Sequence, residues 1–138
     1  MKDFVLDCSV AMSWCFEDEA NKFTDTILDG FLNGNALVPS IWTLEVANVI
    51  LVSERNKHIT KAQSLQFAEL LRALPIVIDE TTHSRAMGDI LSLARQHNFS
   101  SYDASYLELA MRKGVSLATQ ENMLKKAAQK CGVSLKPF

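Results

Sequence analysis

Glu45 is the most informative residue in the chain for chemistry. Of the twelve positions from Ile41 to Val52, only Thr43, Glu45 and Asn48 are not apolar. Glu45 and Asn48 lie three apart and share one helical face. A carboxylate on such a helix costs several kcal/mol to bury unless it is paired or ligates a metal. The alternatives are a Glu that reaches out through a small exposed sector, or one paired with a structural Arg. Asp7 closes the apolar run Phe4-Val5-Leu6. It reads either as the N-cap of a following helix or as a metal ligand fixed by a strand end. Asp103 follows Ser100 by three residues, which suits a helix start and the positive end of its dipole. Glu121, just after Thr119, has the same two readings.

Each acid has an ordinary structural reading, but their joint placement is less ordinary. Asp7, Asp103 and Glu121 sit at strand ends or helix starts, and Glu45 is set in an apolar helix. Hard divalent cations such as Mg²⁺ or Mn²⁺ bind carboxylate oxygens and water, and bring substrate phosphate as a further ligand. That chemistry activates water and neutralises charge on a phosphodiester under in-line attack.

The elements that must position these residues follow from the apolar pattern. Short strands are expected at Phe4–Leu6, Ala36–Val38, Ile76–Ile78 and Val115–Ala118, with a last edge strand at Val133–Leu135. Helical spacing spans Glu19–Leu32, Ile41–Arg55, Thr82–Gln96, Ser101–Lys113 and Glu121–Lys130. Another helix starts after Thr60, with Ala62, Leu65, Phe67, Ala68, Leu70 and Leu71 to bury, and Pro75 breaks it. Asn33-Gly34-Asn35 and Gly114 supply stops, and Ser40 is a candidate N-cap. Short strands alternating with helices require crossovers, hence a mainly parallel sheet covered on both faces. Ligands of such sheets sit beyond the carboxyl ends of the strands, where Asp7 and Thr119 to Glu121 fall.

Composition narrows the class. The 138 residues suit one domain, 1–138, at 48% hydrophobic and 22% charged. No window supplies the apolar run of a membrane helix, and Asp7 within the first apolar run argues against a signal peptide. Cys8, Cys15 and Cys131 have no disulfide or zinc spacing, so a reducing cytoplasm is the expected location. The formal net charge of −2 counts against a domain that grips nucleic acid by bulk basicity, though not against one whose acidic centre binds cations. No Gly-rich phosphate loop or nucleophile elbow is present, and His58, His83 and His97 are scattered in polar surroundings. An aspartyl-phosphate mechanism at Asp7 would want a second Asp where Ser9 stands.

Four segments together resemble the PIN-domain ribonucleases, and within them the toxin subunits of VapBC toxin–antitoxin pairs. Phe4-Val5-Leu6-Asp7-Cys8-Ser9 is similar to the first motif of that family. Pro39 to Val49, with Glu45 at its centre, is similar to the second. Leu93-Ala94-Arg95 followed by Ser101 to Ala110 matches the third, the most specific of the set. Leu117 to Leu124 aligns with the fourth, where the family commonly has Asp and this chain has Glu121.

The resemblance implies a three-layer α/β/α PIN-like domain around a mainly parallel sheet of about five strands. It implies a toxin of a type II toxin–antitoxin pair that cleaves RNA endonucleolytically with metal-activated water. Asp7, Glu45 and Asp103 would hold Mg²⁺ or Mn²⁺, with Glu121 completing the catalytic set and Ser9 and Thr119 as supporting hydroxyls. Arg55, Lys57 and His58 are candidate phosphate contacts, for which surface solubility is an equal explanation. A homodimer and a VapB-like antitoxin, its tail in the active-site groove, are the implied partners. The longer arm of Glu121 puts a second metal position in question and motivates the rival reading, a non-catalytic binding or regulatory module.

Overall fold

Three to six apolar residues between polar or turn-forming ones are too few for a helix and enough for a buried strand, and four such strands form. In the computed structural model, which describes residues 3–16 and 21–136, they are β1 (Phe4–Leu6), β2 (Ala36–Pro39), β3 (Ile76–Asp79) and β4 (Ser116–Ala118). They make one parallel sheet in the order β3-β2-β1-β4. Val5 pairs with both Leu37 and Leu117, so β1 is central. Successive strand residues face opposite sides, yet Phe4, Val5 and Leu6 are all 0% exposed, so both faces of β1 are covered.

The helices are α1 (Cys8–Ser13), α2 (Lys22–Asp29), α3 (Trp42–Arg55) and α4 (Lys61–Ala73), then α5 (Thr82–Arg85), α6 (Leu91–His97), α7 (Ser101–Lys113) and α8 (Asn122–Lys130). Their starts are written in local chemistry. Asn21 caps α2 and Thr60 caps α4 in reciprocal capping boxes with Thr24 and Gln63. The Ser100 hydroxyl accepts the Asp103 N–H at 3.1 Å and starts α7. Gly114, at φ +65°, ends α7 in a left-handed turn that a side chain would strain.

Several expectations are corrected. Among the described residues the sheet has four strands, not about five. Residues Val133 to Leu135 contribute only a single parallel bridge, Leu117 to Leu135, because the chain meets β4 for too short a length to build a ladder. Ser40 is not a cap; Ile41 occupies that position without a side-chain bond, and the Ser40 N–H donates to Thr82 Oγ1. The first long helix starts at Lys22 and tightens into a 3₁₀ turn at Gly30–Leu32; Glu19 lies outside the described residues. The expected helix from Thr82 to Gln96 is broken by a wide turn at Ala86–Ile90, with Gly88 at φ −111° and ψ −106°. Gly has a low helix propensity, and the ladder breaks there.

Burial differs as well. In α4, Phe67 is buried, but Ala62, Leu65 and Leu70 are exposed and Ala68 and Leu71 are half-buried. In α3, Trp42, Val46 and Ser53 are buried while Leu44, Leu51 and Val52 are exposed. The core does not reach every apolar face, and α3 packs chiefly on α1, not on the sheet. Apolar periodicity identifies a helix, but it does not say whether the core reaches that far.

One polar cluster ties β3 to α7, the helix that carries Asp103. Arg112 Nη2 donates to Asp79 Oδ2 at 2.6 Å and Nε donates to Glu108 Oε2 at 2.9 Å. Burial pushes the Asp79 carboxyl up, but the hydrogen bond and charge of Arg112 outweigh it and hold it below its ordinary value. Glu108 is 5% exposed, so losing its partner would strand a buried charge. Arg112→Met is expected to lower stability by about 3 kcal/mol in urea unfolding at neutral pH. A loss under about 1 kcal/mol would mark the cluster as an ordinary surface pair.

Candidate active site

The strand order reverses direction at β1, which has β2 on one side and β4 on the other. Chains leaving these strands diverge and open a crevice at their carboxyl ends. Asp7 leaves β1 there, with its N–H bonded to Ala118 O of β4 at 3.0 Å. Thr119, Gln120 and Glu121 leave β4 beside it. The N-termini of α3 and α7 bring Glu45 and Asp103. The resulting cavity, about 940 Å³, is lined by Asp7, Glu45, Asp103 and Glu121 together with Ser9 and Gln120.

Asp7 is at the N-cap position of α1 but makes no side-chain cap bond, so the ordinary capping account does not hold. Its carboxylate, 3% exposed at the residue level, is held by two hydroxyls instead. Ser9 Oγ donates to Oδ2 at 2.8 Å and Thr119 Oγ1 donates to the same oxygen at 2.7 Å. Each hydroxyl in turn accepts a backbone N–H, Ser9 from Gln120 at 3.2 Å and Thr119 from Glu121 at 3.0 Å. The loop after β4 is thereby stitched to the end of β1. Glu45 has no Arg partner; Tyr106 of α7 donates its hydroxyl to Glu45 Oε1 at 2.6 Å.

All four acids are held above their ordinary pKa. Burial is the largest cause at Asp7, outweighing its two hydroxyl bonds, and the Asp103 charge adds to it. At Glu45 burial outweighs the Tyr106 bond, with repulsion from Asp7 and Asp103. Asp103 is raised by burial against its bond with Ser100. Glu121, at the exposed rim, is pushed up to about 7 by partial burial and by the charges of Asp7, Asp103 and Glu45. Burial also pushes the Cys8 thiol up to about 12, helped by three of these carboxylates, which keeps it inert as a nucleophile.

No Lys or Arg lines the cavity among the described residues; His58 is its one nitrogen base. Arg55 and Lys57 stand exposed away from it. Lys57 adopts φ +59°, and His58 N–H closes back on Ser53 O at 2.8 Å, which folds the chain end of α3 so that His58 meets the cavity. The carboxylate set fits a hard divalent cation by donor type and by its uncompensated charge. It is not a closed cage: among the described residues no three His, Cys, Asp or Glu side chains already stand in a ligating group. Mg²⁺, which takes one or two carboxylates and keeps several waters, suits such an open arrangement.

Two further polar side chains, Gln120 and Tyr106, take part in the site. Gln120 has no signal of its own beyond its place in the loop after β4. Tyr106 had one: it lies three residues beyond Asp103, hence on the same face of α7.

A parallel α/β domain with an acidic cavity at its switch point is the class that fold and geometry define. Residues 4–130 match the PIN-domain profile, and the chain belongs to the PIN-domain family. Solved structures agree on the fold. PAE2754 from Pyrobaculum aerophilum is similar at 20% identity and TM-score 0.64, over 91% of this chain and 79% of that one. VapBC2 from Rickettsia felis, bound to a DNA fragment from its promoter, gives 13% and 0.68, over 97% of each chain. FitAcB from Neisseria gonorrhoeae gives 17% and 0.62, over 96% and 95%. No curated protein sequence matches. PIN domains are generally nucleases and usually use divalent metals. No helix of the described residues is long and apolar enough to cross a membrane.

The raised acids set a pH dependence for the metal-free fold. A carboxyl whose folded pKa exceeds its unfolded value keeps its proton longer in the fold, so stability falls as pH rises between the two values. For Glu121 that window runs from about 4.5 to about 7. In EDTA, Glu121→Gln is expected to leave the thermal midpoint nearly unchanged near pH 4 and to raise it above pH 7. A gain of equal size at both pH values would mean that repulsion at Glu121 is not its source.

Proposed function

We propose that the chain is a metal-dependent endoribonuclease, the toxin of a type II toxin–antitoxin pair, using Mg²⁺ or Mn²⁺. The observation that supports this best is the convergence of Asp7, Glu45, Asp103 and Glu121, from four separate segments, on one cavity that no Lys or Arg lines among the described residues. Family membership supports the nuclease chemistry, and the fold likeness to VapBC2 and FitAcB supports the toxin reading.

In this reading Asp7, Glu45 and Asp103 hold the cation, and Glu121 orders water at the rim. A bound divalent ion lowers the pKa of water and neutralises charge developing on the phosphodiester. Ser9 and Thr119 hold Asp7 in place through Oδ2. RNA is the substrate, and His58 is the best placed of the candidate phosphate contacts, since it alone of Arg55, Lys57 and His58 lines the cavity. The partners are a VapB-like antitoxin and a second copy of the chain. Exposed Leu44, Leu51, Val52 and Leu65 on α3 and α4, and Val77 and Ile78 on the edge strand β3, offer apolar surface for them. The compartment is the cytoplasm.

The purified chain is expected to cleave structured RNA with Mg²⁺ or Mn²⁺, and to lose cleavage in EDTA. Asp7→Asn, folded by circular dichroism, should neither cleave RNA nor arrest growth when expressed. Undiminished metal-dependent cleavage by that variant would overturn the assignment. His58→Ala should raise KM for RNA more than Arg55→Ala or Lys57→Ala does; equal effects would remove His58 from the substrate path.

A second reading, a non-catalytic binding or regulatory module, draws on Glu121 and on the lack of a preformed ligating group among the described residues. Calorimetric titration separates the two. Heat from Mn²⁺ that disappears in Asp103→Asn supports the nuclease, and a silent titration of the wild-type chain supports the module.

A further inference from the structure

The contact between Tyr106 and Glu45 sorts the two oxygens of one carboxylate. Tyr106 is 0% exposed, and its hydroxyl lies 2.6 Å from Glu45 Oε1, joining α7 to α3 across 61 residues of sequence. The phenol O–H is the donor of this contact and the carboxylate oxygen its acceptor. At 2.6 Å the contact lies at the short end of the O–H···O range.

Glu45 Oε2, by contrast, has no hydrogen-bond partner among the described residues, and Glu45 lines the cavity. Tyr106 is the one side-chain hydrogen-bond partner of Glu45 among the described residues. Glu45 is half-buried, its neighbour Leu44 is 69% exposed, and the nearest buried residues of α3 are Trp42 and Val46. A Glu side chain has three rotatable bonds, and a ligand left free about them is poorly organised. The Tyr106 hydroxyl supplies the missing restraint from a helix whose segment Ala104–Ala110 is buried throughout.

We propose that Tyr106 is a positioning residue that claims Glu45 Oε1, so that Glu45 presents Oε2 alone to the cation. The inference rests on the metal-dependent reading above. It has a consequence for metal choice. Mg²⁺ and Mn²⁺ accept single carboxylate oxygens in compact octahedral shells, whereas Ca²⁺ readily takes both oxygens of one carboxylate at longer range. A Glu45 held to one oxygen favours the smaller ions, and releasing Oε1 relaxes that preference.

Calorimetric titration of Mn²⁺ and of Ca²⁺ into the wild-type chain and Tyr106→Phe tests this. Tyr106→Phe is expected to bind Mn²⁺ about 10-fold more weakly. It should bind Ca²⁺ as well as the wild type or better, so that discrimination between the ions shrinks. With RNA, kcat should fall while KM stays near the wild-type value. In a Glu45→Ala background the same substitution should leave Mn²⁺ affinity unchanged, because there is no carboxylate left to position. Unchanged affinities in Tyr106→Phe, or losses of equal size for both ions, would overturn the inference and leave the nuclease reading intact. A wild-type chain silent to Mn²⁺ would overturn both.

Should Tyr106→Phe fail to fold, the wild-type chain carries the test. The Tyr106 hydroxyl proton should be visible by NMR as a slowly exchanging downfield signal that persists when Mg²⁺ is added. Its loss on adding Mg²⁺ would mean that the ion takes Oε1 and would overturn the inference.

Discussion

Burial of a carboxylate, Asp7 above all, is the constraint on which the rest of this structure depends. Asp7 is nearly fully buried at the end of the central strand, and three more acids share its cavity. Such a group is tolerable only where donors surround it. Ser9 and Thr119 provide them, and each hydroxyl is oriented because it accepts a backbone N–H from the loop after β4. The hydrogen bonds that satisfy the charge are therefore also the bonds that join β1 to the chain leaving β4. Electrostatics and topology are one arrangement here: loosening the loop would leave Asp7 without the Thr119 hydroxyl.

The helices that bring the other acids are anchored unequally. The buried segment of α7 faces β1, β2 and β4, and its far end is tied to β3 through Arg112 and Asp79. Asp103 at its start is thus on a rigid element. By comparison α3 rests on α1 and leaves much of its apolar surface in water. The Tyr106 bond makes the position of Glu45 depend on the better anchored helix. The same shallow packing of α3 and α4 leaves Leu44, Leu51 and Leu65 uncovered, which in a small domain is the kind of surface that partners bury.

Much of this was legible in the sequence, for reasons that differ by residue. The strands and most helices follow from apolar spacing, and Thr60 and Ser100 cap where their side chains can reach an N–H three residues on. Asp7, Glu45, Asp103 and Glu121 were each singled out, and the structure puts all four around one cavity. Of the candidate phosphate contacts, His58 lines this cavity, while Arg55 and Lys57 are exposed and lie outside its lining. The burial of α3 and α4 was overestimated because amphipathic spacing records which face of a helix is apolar, not whether anything covers that face.

By itself, the sequence determined what depends on near neighbours along the chain: strand and helix identity, the caps, the stop at Gly114, and which side chains have the chemistry to hold a cation. These rest on backbone hydrogen bonds and side-chain reach within a few residues. Tertiary structure alone decided which of those side chains meet. The hydroxyl of Thr119 reaches Asp7 across 112 residues, and that of Tyr106 reaches Glu45 across 61. No local rule encodes such pairs, because they exist only once the parallel sheet has set β1 beside β4 and the fold has brought Tyr106 of α7 within reach of Glu45 of α3. The choice of which oxygen of Glu45 is left open toward the cavity belongs to that second level, where long-range packing fixes geometry that residue type leaves free.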